Sequence, residues 1–417
     1  MTPAPRARSA ARPRRALVAA LTALLALGGT TPATGGTPGA GTPGEDDGSR
    51  CAASPAPGRG PAREVLRIAE RAAADLHLKS VVLRVTVDGR ELVTAALGES
   101  MTGVPADPAM HFRNGNIAIS YMGVALLRLV DQGRADLDAP VARWLPDLPQ
   151  GERITLRMLA ASTTGLADYV RLPAFQKAVG ADPFRQWTAK EVVGLSTREK
   201  RWYEPGTNWN YSHANFVLLG AALEKITGTR LDRLLRKEVT GPLGLRETRN
   251  AFTPDIPAPV LHAFTTDRGT YEESTFWNPS WTTAPGAVQT TDICDLARSA
   301  AGLGSGELLS PASYRQFLDP GTVGLGHATR DCPATVCIAQ TRTTHYGLGV
   351  LVLGDWVAQH PLFFGYSASQ AYLPSERLAI AVSTTRAPDA ADGHSAHLIA
   401  QRIAAALAPR HPIPDFG

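Results

Sequence analysis

The chain has 417 residues, of which 44% are hydrophobic and 19% charged. This is an ordinary globular balance, with room for one large domain or two intergrown ones. The net charge is +4, and much of it sits in the first fifteen residues. Because that charge belongs to a targeting segment, the composition gives no reason to expect a nucleic-acid partner.

The first 60 residues are predicted to be a targeting segment and a linker. Arginines precede an apolar run at residues 16–27, which is too short to span a bilayer comfortably. We therefore predict a signal peptide over residues 1–34 and a disordered Gly/Pro/Thr-rich linker over residues 35–60. The protein is expected to be secreted or cell-wall-associated, without a stable membrane anchor.

The next segments predict a helix, a hairpin and a second helix. Residues 61–76 are amphipathic, and residues 80–87 and 91–97 alternate around Asp88-Gly89, which is typical of a hairpin turn. Residues 110–146 then predict a tight turn, a buried helix, a stop at Gly133 and an Asp-Leu-Asp-Ala-Pro loop.

Further on, the chain predicts a helical middle and a strand-rich end. Residues 154–169 (ITLRMLAASTTGLADY) and 203–228 (YEPGTNWNYSHANFVLLGAALEKITG) lie in the helical part, and residues 285–309 contain a helix start where Asp292 is an early-turn acid. Residues 346–352, 369–373 and 378–383 are predicted to be strands, and residues 395–407 a closing helix.

These motifs resemble the serine β-lactamase (class C) and DD-peptidase family, the penicillin-binding-protein-like serine hydrolases. The family pattern is Phe-Arg-x-Gly-Ser-x-x-Lys, an apolar helix, Gly and Asp-Leu-Asp-x-Pro, followed later by Pro-Gly-x-x-x-x-Tyr-Ser-Asn. The positions that fit include Phe112, Arg113, Gly115, Gly133, Leu137, Asp138, Pro140, Leu159, Gly165, Leu166, Pro205, Gly206, Tyr211, Ser212, Thr227 and Gly228.

The resemblance implies an α/β (α+β) fold: an antiparallel sheet of five or more strands flanked by helices, plus an all-helical subdomain. On this basis one β-lactamase-related domain is expected over residues 61–408, with its α/β part at 61–110 and 286–408 and its helical part at 111–285. Residues 409–417 would form a tail.

The residues of the first motif that would perform the chemistry are replaced. The family uses a serine nucleophile and a lysine three residues later, which face one groove because they share a helix face. Here these positions are Asn116 and Ile119. An amide nitrogen is not nucleophilic and isoleucine cannot accept a proton, and no Ser-x-x-Lys occurs elsewhere in the chain.

The second and third motifs are altered as well. Tyr211, the family's general base by resemblance, is kept with Ser212, but His213 replaces the family's asparagine. The third motif, which is normally a His or Lys triad ending in Gly, aligns with Gln359-His360-Pro361 when Gly365-Tyr366 is taken as the following pair. A one-residue shift would give His360-Pro361-Leu362 instead. Pro361 lacks the N–H that a substrate-binding strand would donate.

Two serines are weak candidates for a substitute nucleophile. Ser120 lies about 6 Å further along the helix than Asn116, and without a lysine a hydroxyl that bonds its own backbone is the commoner case. Ser367 imitates half of a Gly-x-Ser-x-Gly elbow, but the last Gly is missing.

The four cysteines are compatible with disulfides in a secreted protein. Cys332 and Cys337 could close a small loop, which would stabilise the fold by about 2 kcal/mol on the chain-entropy model. Cys51 could pair with Cys294, or Cys294 could be a buried thiol. We expect no metal site and no cofactor, because the cysteines do not cluster with histidines.

Three functions remain open at the level of sequence. The first is a non-catalytic relative that binds a peptidoglycan peptide, a small carbonyl ligand or a protein through the old cleft. The second is an active esterase, β-lactamase or D-Ala-D-Ala peptidase with an unrecognised nucleophile, such as Tyr211, Ser120 or a histidine. The third is a collapsed cleft on a protein that serves as an interaction surface. Because all three motifs are altered while the structural glycines, prolines and leucines persist, we favour the first.

Overall fold

A computed structural model describes residues 51–416, so the predicted signal peptide and most of the predicted linker lie outside the described residues. The described residues belong to one compact unit. Their helices are α1 Pro61–Asp75, α2 Ile117–Asp131, α3 Leu156–Ala161, α4 Pro173–Ala181, α5 Ala189–Arg198, α6 His213–Thr227, α7 Leu231–Leu235, α8 Ile293–Gly304, α9 Pro311–Leu318 and α10 Ser395–Leu407.

The strands of the described residues form one large sheet and two small ones. They are β1 Leu78–Val87, β2 Arg90–Met101, β3 Val104–Pro105, β4 Phe112–Arg113, β5 Arg249–Ala251, β6 Phe264–Thr265, β7 Glu272–Glu273, β8 Val288–Thr291, β9 Thr344–Tyr346, β10 Leu351–Leu353, β11 Trp356–Gln359, β12 Leu362–Phe363, β13 Tyr366–Leu373 and β14 Leu378–Arg386.

The large sheet is antiparallel and joins the two ends of the domain. Its strand order is β3-β2-β1-β14-β13-β11-β10-β9, with β12 also paired to β13. The N-terminal hairpin therefore sits directly beside the C-terminal strands through the β1–β14 pairing. β13 and β14 are buried along nearly their whole length, because α8 packs on them from one side and α10, with α1 next to it, from the other.

Helix α2 lies at the centre of the molecule. Ile117 to Leu127 are all buried, so the helix is covered on every side rather than along one stripe. It contacts α6, α7 and α9. Gly133 ends it with a φ of 67°, a conformation that glycine adopts without steric cost. The N-terminus of α2 carries the altered motif.

The predicted fold class is confirmed: a large antiparallel sheet is flanked by helices, and a mainly helical part lies between its two halves. That middle part is not purely helical, since it contributes β4 and β5 to a small sheet with β8, and β6 and β7 to a hairpin. The closing helix has the predicted bounds, residues 395–407.

One strand prediction needs correction, and some strands were not predicted. Residues 346–352 do not form one strand: β9 and β10 pair with each other across a tight turn, where Gly349 has a φ of 80°. Strands β11 and β12 were not predicted. They share one register against β13, with Gln359 opposite Gln370 and Leu362 opposite Ser367, so they are two halves of one strand interrupted at His360-Pro361.

The expected disulfide between Cys332 and Cys337 forms, and of the two alternatives left open for Cys294, the pairing with Cys51 is the one observed. This pairing excludes a free thiol at Cys294. The second bridge ties the start of the described chain to α8. Between residues 51 and 416, no helix has the length and hydropathy to cross a membrane.

Candidate functional site

The predicted nucleophile position lies where α2 meets the second motif. Gly115 forms the preceding turn with a φ of 48°, and Asn116 caps α2. The Nδ2 of Asn116 donates a hydrogen bond to the hydroxyl of Tyr211 at 2.8 Å. The fold thus brings the residues at the nucleophile and base positions into contact, but with a carboxamide where the resemblance places a hydroxyl.

At the position of the family's lysine, the side chain of Ile119 packs in the core. Ile119 is fully buried, and the turn between β9 and β10 lies against it, since a Cβ at Gly349 would come within 2.7 Å of the carbonyl oxygen of Ile119. The hydroxyl of Ser120, also fully buried, donates to the carbonyl of Gly349 at 2.6 Å. Ser120 therefore has the environment of a structural hydroxyl, which does not favour it as a nucleophile.

Tyr211 sits among aromatic rings. Its ring centroid is 5.0 Å from that of His213 and 6.0 Å from that of Tyr346. Burial raises the pKa of Tyr211 well above its usual value, and the neighbouring Tyr346 and Asp168 side chains raise it further. The phenol therefore stays protonated at neutral pH and cannot serve as a phenolate base there.

His213, which replaces the family's asparagine, has a partner that the sequence did not reveal. Its Nδ1 lies 3.0 and 3.2 Å from the two carboxylate oxygens of Asp168, and its backbone N–H donates to the same carboxylate. Both side chains are nearly buried. The contact fixes the imidazole so that Nε2 is the nitrogen left for other partners. Asp168 follows the matched residues Gly165-Leu166 in the sequence, and this proximity was the signal that could have identified Asp168 as a residue of the site.

Of the three third-motif residues, Pro361 lies against the start of α2, whereas Gln359 and His360 point elsewhere. Pro361 packs against the backbone of the first motif, because a Cβ at Gly115 would lie 2.9 Å from the Cβ of Pro361. Gln359 points into the core and donates to the carbonyl of Gly349 at 2.8 Å. The carbonyl of Pro361 still accepts from Ala368 N–H, so this strand keeps its pairing to β13 and lacks only the proline's N–H.

His360 turns away from the cleft into a cluster of histidines. Its Nδ1 is 3.2 Å from Nδ1 of His394, and its ring is 4.2 Å from that of His397, centroid to centroid. Burial, with the two other imidazoles, holds the pKa of His360 well below its usual range. The ring of His360 is edge-on to that of His394 and tilted against that of His397, and none of the described residues forms a group of three or more ligands arranged to hold a metal ion.

Aromatic side chains pack together beside His213. Trp281 is buried and packs against Phe363, Phe364 and His213, with centroid distances of 5.9, 5.6 and 6.2 Å. Asn116, Tyr211 and His213 nevertheless keep partial exposure to solvent. A ligand that reaches them would meet an amide, a phenol and an imidazole beside an apolar wall.

The remaining candidate serines have structural contacts. Ser367 is buried on β13, and its hydroxyl accepts from the N–H of Ala396 at the start of α10. Ser212 is buried and donates to the carbonyl of Ala167. Among the described residues, neither hydroxyl has a hydrogen bond to a base, which a serine nucleophile would need.

The fold and the cleft together define the class of penicillin-binding-protein-like serine hydrolases. The profile of the Beta-lactamase family matches residues 65–405, and the chain belongs to this family.

Curated relatives share only parts of their length with this chain. It is 30% identical over 191 residues to esterase EstB of Burkholderia gladioli, covering 43% of this chain and 48% of the esterase. It is 36% identical over 113 residues to a D-aminopeptidase of Cereibacter sphaeroides, covering 27% and 21%. It is 29% identical over 187 residues to the D-alanyl-D-alanine-carboxypeptidase/endopeptidase AmpH of Escherichia coli, covering 41% and 45%. The matches thus span less than half of these relatives.

Solved structures support the fold over most of the chain. A D-amino acid amidase from Ochrobactrum anthropi has a TM-score of 0.70 at 21% identity, covering 84% of this chain and 99% of the amidase. A D-stereospecific amidohydrolase from Streptomyces sp. has a TM-score of 0.67 at 23% identity, covering 85% and 99%. At this identity the likeness establishes the architecture alone.

Proposed function

We propose that the protein is a non-catalytic member of the family that binds a D-amino-acid peptide of the cell envelope in the cleft at the start of α2. The observation that carries this proposal is the 2.8 Å bond between the Asn116 carboxamide and the Tyr211 hydroxyl, with buried Ile119 at the lysine position. Removing a serine nucleophile from a hydrolase of this general kind costs about a million-fold in rate, and loss of its base partner adds little more.

The ligand class follows from relatives and from the chemistry of the cleft. The names of several relatives refer to D-aminopeptidase, D-alanyl-D-alanine-carboxypeptidase and D-amino acid amidase activities. Asn116 and Tyr211 offer hydrogen bonds suited to a peptide carbonyl and N–H, and Trp281 offers an apolar wall. The predicted signal peptide would deliver the protein to the compartment where such peptides occur.

Intact mass after incubation with a fluorophosphonate and, separately, with a penicillin tests the absence of an acyl-enzyme. We expect no adduct from folded protein, while a known serine β-lactamase treated in parallel should be labelled. Calorimetry with an acylated D-alanyl-D-alanine peptide should then show binding that its L,L diastereomer lacks. An adduct, or the absence of stereoselective binding, would contradict the proposal.

One observation favours a second function, hydrolysis by activated water. His213, oriented by Asp168, has the arrangement of a general base. Its Nε2 would accept a proton as water oxygen bonds to the substrate carbonyl carbon. The imidazolium would then return that proton to the leaving amine or alcohol as the carbon–heteroatom bond breaks.

Turnover separates the two functions, because this route leaves no covalent adduct. Under the second function, the chain hydrolyses small esters or D-amino acid amides and loses that activity in His213→Asn, which restores the family's residue. Under our first proposal, neither the wild type nor His213→Asn exceeds the buffer rate.

A further inference from the structure

A second candidate site lies in a cavity apart from the cleft. It has a volume of about 960 Å³ and is formed by α7, the π-helical turn Arg236–Thr240 and the segment that leads into β5. Its lining is mostly polar and includes none of the cleft residues described above. The charged residues that line it are Arg230, Arg233, Arg236, Arg246 and Arg249, with Asp232.

Most of this positive charge is uncompensated. Arg230 and Asp232 neutralise each other through two hydrogen bonds of 3.0 and 2.6 Å, and the guanidinium of Arg230 also rests over the ring of Phe252. Among the described residues, the other four arginines have neither an ion pair nor a side-chain hydrogen bond. Like charges held around one cavity repel one another, so an anion that enters it lowers that repulsion.

Among the described residues, the neighbouring carboxylates form no ion pair with these four arginines and have other hydrogen-bond partners. Glu247 bonds His111 at 3.0 Å, and Asp295 accepts from the backbone N–H groups of Glu247 and Thr248. Residues 1–50 carry six arginines and three carboxylates, so of the overall +4 only about +1 belongs to the rest of the chain. The four unpaired arginines therefore concentrate positive charge at this cavity, although the chain beyond residue 50 is nearly neutral overall.

We propose that this cavity binds a ligand that carries two or more phosphate groups. Guanidinium groups bind phosphate oxygens through paired N–H donors and stay charged at any physiological pH, which makes arginine well suited to phosphate recognition. Four guanidinium groups around one cavity suit a ligand with several phosphate groups better than a ligand with a single phosphate group. The free amide nitrogen of Asn250, whose oxygen already accepts from Gln289, adds a neutral donor. The source is either a free phosphorylated molecule or a phosphate-bearing lipid or polymer.

Calorimetry on the full chain with inorganic tripolyphosphate tests the site. We expect saturable binding that weakens about tenfold or more in the double variant Arg246→Gln/Arg249→Gln, because each lost guanidinium removes charge-assisted hydrogen bonds. The matched control is Arg134→Gln/Arg143→Gln, which removes the same charge from exposed arginines outside the cavity that also lack an ion pair. It should change the affinity less than about twofold.

Further arms identify the source and the chemistry. Vesicles of an anionic phospholipid and a soluble phosphodiester polymer are titrated with the same variants, and dependence on Arg246 and Arg249 in either arm assigns the ligand to that source. Citrate replaces tripolyphosphate in a third arm, where we expect weaker binding. The proposal is overturned if no phosphate probe binds, if both double variants weaken binding equally, or if citrate binds as well as tripolyphosphate.

Discussion

At the scale of single residues, the positions that match the family pattern are structural, and the positions that depart from it are the catalytic ones. Gly165 is a family position with a φ of 74°, and a Cβ there would lie 2.2 Å from the carbonyl oxygen of Tyr203, so the backbone itself requires glycine. Asn116 and Ile119 have no such requirement from the backbone, and their contacts satisfy hydrogen bonding and packing instead. Residues that specify the fold therefore match the family pattern, whereas the residues at the catalytic positions do not.

The Asn116–Tyr211 contact predicts a measurable coupling. A neutral hydrogen bond contributes about 1 kcal/mol to stability, so Asn116→Ala and Tyr211→Phe should together destabilise the protein by about 1 kcal/mol less than the sum of the single variants. Urea unfolding measures the four free energies of the cycle. Tyr211→Phe combined with Ser299→Ala is the control pair, because Ser299 bonds Tyr121 instead, and it should be additive. Additivity in the first pair would show that the bond does not form in solution.

At the scale of elements, helix α8 begins with an unfavourably placed charge. Asp292 caps the helix by accepting the N–H of Asp295 at 2.8 Å. Burial raises the pKa of Asp292 to about 6, with the nearby Asp295 and Glu247 carboxylates adding to the rise. A carboxyl group whose folded-state pKa is raised contributes stability below its unfolded pKa, near 4, and loses that contribution as pH rises through about 6.

Asp292→Asn should therefore stabilise the protein at neutral pH. Asparagine caps helices as well as aspartate does, and it removes the ionised, desolvated group, whose pKa shift corresponds to at most about 3 kcal/mol. Unfolding free energies should favour the variant near neutral pH and converge with the wild type below about pH 4. If the variant were equally destabilised at every pH, the carboxylate would have to stabilise the fold through an interaction other than its helix-capping hydrogen bond.

The sequence predicted elements better than it predicted the contacts between them. Periodicity located α10 because its pattern is local and long. It missed β11 and β12 because Pro361 interrupts the strand, and only pairing with β13 holds its two halves in one register. The Asp168–His213 pair spans 45 residues, whereas the arginines of the cavity all lie between residues 230 and 249 and were visible in the sequence as a basic stretch. The candidate site at the start of α2 therefore depends on non-local contacts, and the cavity does not.

At the scale of the whole molecule, the histidine cluster joins the cleft strand to the closing helix. His360 lies between β11 and β12, whereas His394 and His397 lie at the start of α10, which Ser367 also anchors to β13. Burial lowers the pKa values of all three, that of His397 to about 4. Asp415 is the acidic group whose charge acts on the cluster, and it opposes the shift at His397.

This cluster predicts that acid loosens α10 before the rest of the fold. A histidine with a lowered folded-state pKa contributes stability above its unfolded pKa, near 6.5, and loses it as pH falls towards the folded value. For His397 the loss amounts to about 3 kcal/mol by about pH 4, opposite in sign to the gain from Asp292 over the same range. His397→Gln should therefore gain stability relative to the wild type as pH falls from about 6.5 to 4, whereas the exposed His327→Gln should not.

Hydrogen exchange at about pH 5 should show α10 opening ahead of α2 in the wild type. Equal protection of both helices there would contradict the assignment of the acid-sensitive step to this contact.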